Sequence, residues 1–219
     1  MFTGIVQSTG QVNSIKIGDN FKHIEILVPI QLISKLETGA SVANNGVCLT
    51  AVSFSKLDSK SAVIGFDIID ETLRVTNLDS LVTGSLVNVE RSMKVGDEIG
   101  GHMVSGHIHT MATLVERLDS TDNCQLNFVI NSNWTKYIFA KGFIAVNGAS
   151  LTLGEVRTLK NGDCEFTLHL IPETLERTNL TVLKLGDKVN IEIDQQTMTI
   201  VDSLASILKE YGIEKKLNL

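Results

Sequence analysis

The sequence predicts an all-β protein: two similar antiparallel barrels in tandem, followed by a C-terminal α-helix. Three observations carry this prediction. The two halves repeat the same motifs at one spacing, each half is rich in short strand-like segments, and the end of the chain changes to helical periodicity. A chain of 219 residues is long enough for two domains of about 100 residues each.

An internal repeat with an offset of 102 residues sets the domain organisation. Separate matches at one offset indicate a tandem duplication. We expect barrels at residues 1–102 and 103–199, and a C-terminal oligomerisation helix and tail at 200–219. The matched pairs are MFTGIV (1–6) with MVSGHI (103–108), NNGVCLTAV (44–52) with VNGASLTLG (146–154), ETLRVTNL (71–78) with ETLERTNL (173–180), and GSLVNVE (84–90) with GDKVNIE (186–192).

The strand prediction rests on composition and on alternation within each half. Segments rich in Val, Ile, Phe and Thr are separated by Gly, Asp or Asn, as in strands joined by turns. VNVE and VNIEID alternate apolar and polar residues, which is typical of a sheet with one face in water. Five to seven such segments in about 100 residues favour a closed or nearly closed barrel, since closure removes exposed strand edges.

Helices are predicted at few places. Short helical pieces are expected around residues 31–37, around 132–140 and at each ETL motif. The strongest helix prediction is 201–212, which lies outside the repeat. Asp202 or Ser203 is expected to cap its start and Gly212 its end. Its apolar stripe either assembles subunits or folds back on its own barrel. That stripe consists of Val201, Leu204, Ile207, Leu208 and Tyr211.

Composition and charge exclude several classes of protein. The net charge is −6 and the basic residues are scattered, which disfavours a nucleic-acid partner. No apolar run reaches the length of a membrane span, and the N-terminus lacks the pattern of a signal peptide. Three cysteines without CxxC spacing make disulfides and a zinc site unexpected. A reducing, cytoplasmic location fits this composition.

The positions at which the two halves differ are the first candidates for function. A cysteine that follows Gly-Val in an apolar strand is usually a small buried hydrophobe, because reactivity needs exposure or a lowered pKa. The NNG turn before Cys48 and the polar serine at the matched site leave the buried and the functional interpretation equally open. The informative mismatches are Cys48 with Ser150, Ile5 with His107, Asp67 with His169, and Phe2 with Val104.

A metal site is an alternative reading of the histidines. His102, His107 and His109 lie close in sequence, and His107 and His109 would share one face of a strand. No acidic or cysteine ligand lies nearby, and the first half has Ile5 and Gln7 at the matched positions. Because metal sites normally combine three or more donors in fixed geometry, we expect no metal.

The features that both halves share are also candidates for ligand binding. NG-x-x-LT offers turn backbone groups and a threonine hydroxyl, while ETL offers N–H groups and a carboxylate. Such groups suit a flat heterocycle with amide-like edges and a polyol tail. Neither GxGxxG nor GxxxxGK occurs, so no nucleotide cofactor is expected.

Together these motifs resemble the riboflavin synthase α-chain family. The likeness rests on MFTGIVQ, NG-x-CLT, ETLRVTNL, GGHMVSGH, YIFAKGFIAVNGASLT, LIPETLERTNL and VNIEID, and it runs from Met1 to about Gln195. The resemblance implies two six-stranded Greek-key barrels and a C-terminal helix that assembles a homotrimer. It also implies a reaction in which one molecule of 6,7-dimethyl-8-ribityllumazine transfers a four-carbon unit to a second molecule. The products are riboflavin and a ribitylaminopyrimidinedione, without cofactor or metal.

The resemblance implies one pocket per barrel, with the active site between the first barrel of one subunit and the second of a neighbour. Phe2 matches an aromatic close to the substrate, and Asp194 an acidic residue near the site. The implied first pocket contains Gly4, Ile5, Val6, Cys48, Leu49, Thr50, Asp67, Ile68, Ile69, Asp70, Glu71 and Thr72. The implied second pocket contains Gly106, His107, Ile108, Lys141, Ser150, Leu151, Thr152, His169, Leu170, Ile171, Pro172, Glu173 and Thr174.

Roles within this implied site follow from chemistry and leave alternatives open. His107 is the expected proton shuttle, because histidine titrates near neutral pH. Cys48 or Ser150 either adds to a lumazine or holds an attacking water. Asp194 either polarises a neighbour or sits in a surface ion pair.

The chain departs from the family pattern at two positions, and other functions compete. Val47 replaces a cysteine common in the family, and Asn147 replaces a frequent Asp. The main alternative function is a non-catalytic lumazine- or flavin-binding protein of the antenna type. An association with lumazine synthase is a further possibility that the sequence leaves open.

Overall fold

The first half of the chain forms a closed antiparallel barrel. The computed structural model describes residues 1–121 and 123–211. The six strands of the first half are β1 (Ser8–Ile17), β2 (Phe21–Pro29), β3 (Ser41–Asn44), β4 (Val47–Lys56), β5 (Ser61–Ile69) and β6 (Leu86–Arg91). They hydrogen-bond in the order β1-β2-β5-β4-β3-β6, and β6 pairs with β1 to close the ring. This confirms the predicted barrel.

The second half repeats this arrangement with one more strand. Its strands are β7 (Thr110–Asp119), β8 (Cys124–Ile130), β9 (Phe143–Val146), β10 (Ala149–Thr152), β11 (Val156–Thr158), β12 (Cys164–Leu170) and β13 (Lys188–Ile193). Their order is β10-β9-β13-β7-β8-β12-β11. Strands β10 and β11 together occupy the positions that match β4, so the strand order of the first barrel recurs in a curled sheet.

The predicted count of six strands is therefore wrong for the second half. The interruption falls at Gly154, which matches Val52, where β4 has a bulge. Gly154 N–H donates to Thr167 O at 2.7 Å, and Thr167 N–H donates to Glu155 O at 2.9 Å. A bulge bends a strand and locally disrupts its ladder. In the second half the strand is interrupted at this position, so that two strands, β10 and β11, take the place of one.

Alternation along the strands explains the cores. On β2, Ile24, Ile26 and Val28 point inward at every second position and are at most 2% exposed. They lie opposite Phe66, Ile64 and Ala62 of β5, in that order. Burying an aliphatic side chain of this size contributes about 1.5–3 kcal/mol. The period-2 pattern therefore fixes which face of each strand is inside.

Four of the short helices lie where the sequence predicts them, and the two 3-10 helices that follow the ETL helices were not predicted. They are the α-helices α1 (Asp70–Val75) and α2 (Pro172–Arg177) and the 3-10 helices Ile30–Ile33, Asn77–Ser80, Ser132–Tyr137 and Asn179–Val182. Each ETL motif thus forms the first turn of a helix that follows a long strand. None of the helices in residues 1–121 and 123–211 has both the length and the apolar character of a membrane span.

The C-terminal helix begins earlier than predicted. Helix α3 spans Gln195–Glu210, and Asp194 caps it by accepting hydrogen bonds from Thr197 N–H at 2.9 Å and Thr197 Oγ1 at 2.8 Å. Capping by Asp202 or Ser203 is therefore wrong. Asp202 instead accepts hydrogen bonds from Lys136 Nζ and Tyr137 OH. The predicted cap Gly212 lies outside the described residues.

Six buried asparagines join the two halves about an approximate twofold axis. Asn77 N–H donates to Asn190 Oδ1 at 2.7 Å, and its counterpart Asn179 N–H donates to Asn88 Oδ1 at 2.6 Å. The Asn77 amide donates to Asn147 Oδ1, and the Asn179 amide donates to Asn45 Oδ1. Buried polar groups need such partners, and here each half supplies them to the other.

The repeated Asn-Gly turns belong to this interface. Asn45 and Asn147 have φ of 46° and 45°, which suits the left-handed first position of a two-residue hairpin turn. A Cβ on Gly46 would lie 2.7 Å from the nitrogen of Gly148, so neither glycine can carry a side chain. The prediction that the NG turns offer their groups to a ligand is wrong for these residues, because they bind the opposite half.

Candidate active site

The N-terminal segment of each half lies on the other half. Phe2 and Val104 form an antiparallel bridge, in which Phe2 N–H donates to Val104 O at 2.7 Å and Val104 N–H donates to Phe2 O at 3.0 Å. Beyond this bridge the segments diverge. Ser150 N–H donates to Gly4 O, and Cys48 N–H donates to Gly106 O, both at 2.8 Å. Each segment thereby extends the ladder of the opposite half.

Packing confirms this exchange of segments. Val6 belongs to the apolar core of the second half, and Ile108 packs against the core of the first half. The implied grouping of Gly4, Ile5 and Val6 with Cys48 is therefore wrong, as is that of Gly106–Ile108 with Ser150. The repeat correctly identifies equivalent residues, but it does not reveal which half they contact.

A cavity of about 280 Å³ lies where the first segment crosses the second half. The cavity is lined by predicted residues from both implied pockets. Ala149, Arg177 and Thr178 line it as well and were not predicted. The full lining is Gly4, Ile5, Val6, Ala149, Ser150, Leu151, Glu173, Thr174, Arg177 and Thr178.

Arg177 gives this cavity an ion pair that the first half lacks. It pairs with Glu173 one helical turn earlier in α2. The matched residue in the first half is Val75, so this mismatch was visible in the repeat alongside the Cys48 mismatch. A guanidinium presents a planar fork of donors that suits a carbonyl or carboxylate edge.

The side chain of Ser150 contacts His102, which the sequence suggested only as a metal ligand. His102 Nδ1 lies 2.7 Å from Ser150 Oγ, and its ring stacks on Phe143 at a centroid distance of 5.3 Å. Its Nε2 is buried without a hydrogen-bond partner in the described residues. Burial lowers the pKa of His102, and the charge of Asp194 partly opposes this. The neutral imidazole is therefore favoured beside Ser150.

The surroundings of Cys48 differ from those of Ser150. Cys48 is half-buried against an apolar cluster that includes Phe2 and Val104, and its thiol is free. A Cβ on Gly106, whose φ is 86°, would lie 2.5 Å from Cys48 Cβ. Only glycine permits this approach, and it lets the following residue, the exposed His107, stand at the same edge.

Two buried carboxylates hold the exchanged segments in place. Glu90 accepts hydrogen bonds from Thr3 N–H at 2.7 Å and Thr3 Oγ1 at 2.8 Å. Its counterpart Glu192 accepts the same pair from Ser105, at 2.7 and 2.8 Å. Burial raises the pKa of both glutamates, and the hydrogen bonds from the segments oppose that effect. Neither glutamate was predicted to be a functional residue.

The remaining predicted residues fall into exposed and buried groups. Asp67 is bound to His23 Nδ1 at 2.6 Å. Lys141 is exposed and has a φ of 68°. Leu49, Ile68 and Leu170 are buried in the cores and offer a ligand no side chain. The exposed or half-exposed residues are Thr50, Ile69, Asp70, Glu71, Thr72, Thr152, His169, Ile171 and Pro172.

The histidines do not gather around one point. His109 Nδ1 accepts a hydrogen bond from Ile193 N–H at 3.1 Å, and its ring tilts against Trp134. Among residues 1–121 and 123–211, the structure has no group of three His, Cys, Asp or Glu side chains that could hold a metal ion. His102, His107 and His109 therefore form no common donor set.

Comparison with known proteins identifies the repeated unit. The family model of the lumazine binding domain matches twice, at residues 3–92 and 105–194. Riboflavin synthase of Escherichia coli strain K12 is 48% identical over 209 residues, 95% of this chain and 93% of that protein. The chain belongs to the riboflavin synthase family. The riboflavin synthase of Chlamydia pneumoniae is 40% identical over 212 residues, 97% of this chain and 99% of that protein.

Solved structures of the lumazine-binding protein LumP share this fold. Complexes of LumP with 6,7-dimethyl-8-(1'-D-ribityl) lumazine and with riboflavin superpose with a TM-score of 0.76 at 27% identity. They cover 88% of this chain and 99% of LumP. The predicted family, and its fold of duplicated barrels with a C-terminal helix, are therefore confirmed.

Proposed function

We propose that this protein is a riboflavin synthase that converts two molecules of 6,7-dimethyl-8-ribityllumazine into riboflavin and 5-amino-6-(D-ribitylamino)uracil. Curated riboflavin synthases with 36–48% identity over nearly the whole chain support an enzyme of the transferase class. One structural observation carries the proposal. A single chain holds two equivalent sites that carry unlike groups. One site has Cys48 and His107, and the other has Ser150 and Ile5 at the matched positions.

This asymmetry suits a dismutation. The reaction uses two identical molecules in different roles, as donor and acceptor of four carbons. Like pockets bind like molecules, while unlike side chains assign their roles. Holding both reactants in one geometry replaces a bimolecular encounter, which lowers a barrier by up to ~7–11 kcal/mol.

The catalytic roles follow from the groups at each site. His107 is exposed at the edge of the Cys48 site and serves as the proton shuttle for the C7 methyl group. Cys48 or Ser150 adds to the acceptor ring or holds an attacking water. Lys141 and Thr152 position the substrate. Phe2 is fully buried between the halves, so its side chain packs against Cys48 and shapes the site from within.

A homotrimer with active sites between subunits is part of this proposal. Helix α3 packs on its own barrel through Met198 and Val201. A separate stripe on the same helix is exposed: Ile200, Leu204, Ile207 and Tyr211 are 50–71% accessible. Exposed apolar residues at helical spacing favour a seam with other subunits. An association with lumazine synthase would be a further step of assembly.

The proposal also includes the domain division and the location. The barrels are taken as residues 1–102 and 103–199, with 200–219 as the assembly helix and tail. Three free thiols, at Cys48, Cys124 and Cys164, favour a reducing compartment such as the cytoplasm.

The test is a reaction of the purified protein with the lumazine in the presence of EDTA and without added cofactor. Both products are followed by chromatography, and the proposal requires them in equal amounts. Tight binding without product would favour the alternative, a non-catalytic lumazine- or flavin-binding protein like LumP. The cavity with Ser150, Glu173 and Arg177 argues against that alternative, because the second site retains polar groups.

A further inference from the structure

Glu90 and Glu192 occupy equivalent positions, but they bind their segments through different numbers of hydrogen bonds. The segment of Glu192 is bound at both carboxylate oxygens: Oε1 accepts from Ser105 N–H and Oγ, and Oε2 accepts from Gly106 N–H at 2.9 Å. Ser105 Oγ in turn accepts a hydrogen bond from His107 N–H at 3.2 Å. Three consecutive residues are therefore tied to one carboxylate.

This segment joins the two candidate catalytic groups of the first site. Gly106 O accepts the hydrogen bond from Cys48 N–H, and the next residue is His107. In the other half, Glu90 accepts hydrogen bonds from Thr3 N–H and Thr3 Oγ1, and Gly4 O accepts the hydrogen bond from Ser150 N–H. There, however, the residue that follows is Ile5, which carries no titratable group.

We propose that Glu192 is a positioning residue for the reaction. It holds the segment Ser105–His107 so that the imidazole of His107 keeps its place beside Cys48. This inference rests on the proposed function and adds a residue to it. Glu90 is the matched residue with the same structural task but without a proton-transfer group to position.

The donor pattern explains why a carboxylate is required. Every hydrogen bond to Glu192 comes from an N–H or O–H group, and an ionised carboxylate is the side chain that only accepts. A glutamine would place its NH₂ group against one of these donors, most directly Gly106 N–H. The segment would then lose at least one hydrogen bond to a charged group and meet a donor–donor contact.

The experiment compares Glu192→Gln with Glu90→Gln in the full-length protein. The melting temperature is expected to fall in both variants and to fall further in Glu192→Gln, because Glu192 accepts a third hydrogen bond, from Gly106 N–H. We expect kcat to fall about tenfold or more in Glu192→Gln, the effect of losing a hydrogen bond to a charged group. In Glu90→Gln the change is expected mainly in KM, through displacement of Gly4 and Ile5. Equal losses of kcat in the two variants would overturn the proposal.

A second measurement does not depend on turnover. Alkylation of Cys48 by iodoacetamide, followed by mass spectrometry, reports how closely Gly106 covers the thiol. We expect faster alkylation in Glu192→Gln and the wild-type rate in Glu90→Gln, while Cys124 and Cys164 are buried and stay unmodified. Unchanged alkylation in Glu192→Gln would contradict the holding role. A wild-type protein that makes no riboflavin would refute the proposed function, yet leave this measurement valid.

If Glu192→Gln fails to fold, Ser105→Ala and its counterpart Thr3→Val are the milder pair. Ser105→Ala removes the hydroxyl that links Glu192 to His107 N–H and leaves the carboxylate in place. The proposal expects the same contrast, with lower kcat in Ser105→Ala and no such loss in Thr3→Val. A Ser105→Ala protein with unchanged kcat and Cys48 alkylation would overturn it.

Discussion

At the scale of single residues, His102 shows how burial sets a protonation state at the site. It is 8% exposed, its Nδ1 faces Ser150, and its Nε2 has no hydrogen-bond partner in the part of the chain that the structure describes. A protonated ring would carry a buried charge, so the folded protein favours the neutral form. A neutral His102 ring can either donate a hydrogen bond to the Ser150 hydroxyl or accept one from it.

The pKa of His102 makes a prediction about stability. Because the folded-state pKa is lowered from 6.5, the unfolded chain binds more protons than the folded protein in the pH range between the two pKa values. The contribution of His102 to stability is therefore full above pH 6.5 and is lost as the pH falls, by up to about 1.4 kcal/mol per pH unit. We expect His102→Gln to remove this part of the acid dependence.

The measurement is the free energy of unfolding of both proteins at pH 7.5 and at pH 5.5. The free energy of unfolding of His102→Gln, relative to that of the wild type, should be higher at pH 5.5 than at pH 7.5. Other buried groups, such as His109, Glu90 and Glu192, are common to both proteins and cancel in the difference. A difference that is the same at both pH values would contradict the prediction.

At the scale of elements, Asp194 connects the last strand to the C-terminal helix. Its carboxylate accepts both hydrogen bonds from Thr197 at the first turn of α3. The resemblance suggested an acidic residue near the active site, and the structure adds a capping task. The two tasks are separable by substitution, because a cap needs an acceptor and not a charge.

We expect Asp194→Ala to destabilise the protein by about 1 kcal/mol and Asp194→Asn to have little effect, since Asn is as good a cap. Denaturant unfolding gives the two values. If Asp194 acts on the reaction only as a cap, Asp194→Asn keeps full activity. Normal stability with lost activity in Asp194→Asn would instead assign it an electrostatic role, consistent with its effect on His102.

The exposed stripe of α3 also makes a prediction at this scale. Leu204→Glu places a charge among Ile200, Ile207 and Tyr211 and should convert the proposed trimer to monomers, because a charge in a buried apolar seam is unfavourable. Light scattering coupled to size-exclusion chromatography measures the mass. Ser206→Glu, on another face of the helix, is the control and should leave the mass unchanged. A monomeric wild type would refute the trimer.

At the scale of the whole molecule, the asparagine network decides how the halves fit together. The Asn77 amide makes hydrogen bonds to Asn147 Oδ1 and Lys188 O, and Asn179 makes the equivalent pair with Asn45 Oδ1 and Leu86 O. Each side chain also accepts a hydrogen bond from an amide of its own half, Asn77 from Asn45 and Asn179 from Asn147, so removing either one breaks three buried hydrogen bonds. The two halves should therefore respond alike.

We expect Asn77→Ala and Asn179→Ala each to lower the free energy of unfolding by about 2–4 kcal/mol, since each removes three hydrogen bonds of the buried network. The two values should agree closely, and the double variant should lose less than their sum because the residues share a network. Strict additivity, or an effect in one half alone, would show that the network is not a single unit.

The sequence predicted the architecture well because repetition and alternation are local properties. An offset of 102 residues and period-2 strands define two equivalent sheets whatever their packing. The split of one strand at Gly154 was missed, because the same bend in the first half needs only a bulge at Val52. The start of α3 was missed because the helix follows β13 with Asp194 as its cap and no intervening loop.

The candidate site was predicted less completely, for a reason of topology. Sequence comparison shows that Gly4 corresponds to Gly106 and Cys48 to Ser150, but correspondence does not say which residue contacts which. The crossing of the segments follows from packing between halves, which has no one-dimensional pattern. Glu192, and the contact of His102 with Ser150, were missed for the same reason, since the partners lie 86 and 48 positions away along the chain.

The exchange of segments has an evolutionary consequence. Two unlinked copies of such a half would form a symmetric homodimer, and any substitution in their gene would appear at both sites together. Joining the copies in one chain keeps the partners at high local concentration and gives each site its own codons. A thiol can then stand at one site and a hydroxyl at the other within one molecule, as Cys48 and Ser150 do here.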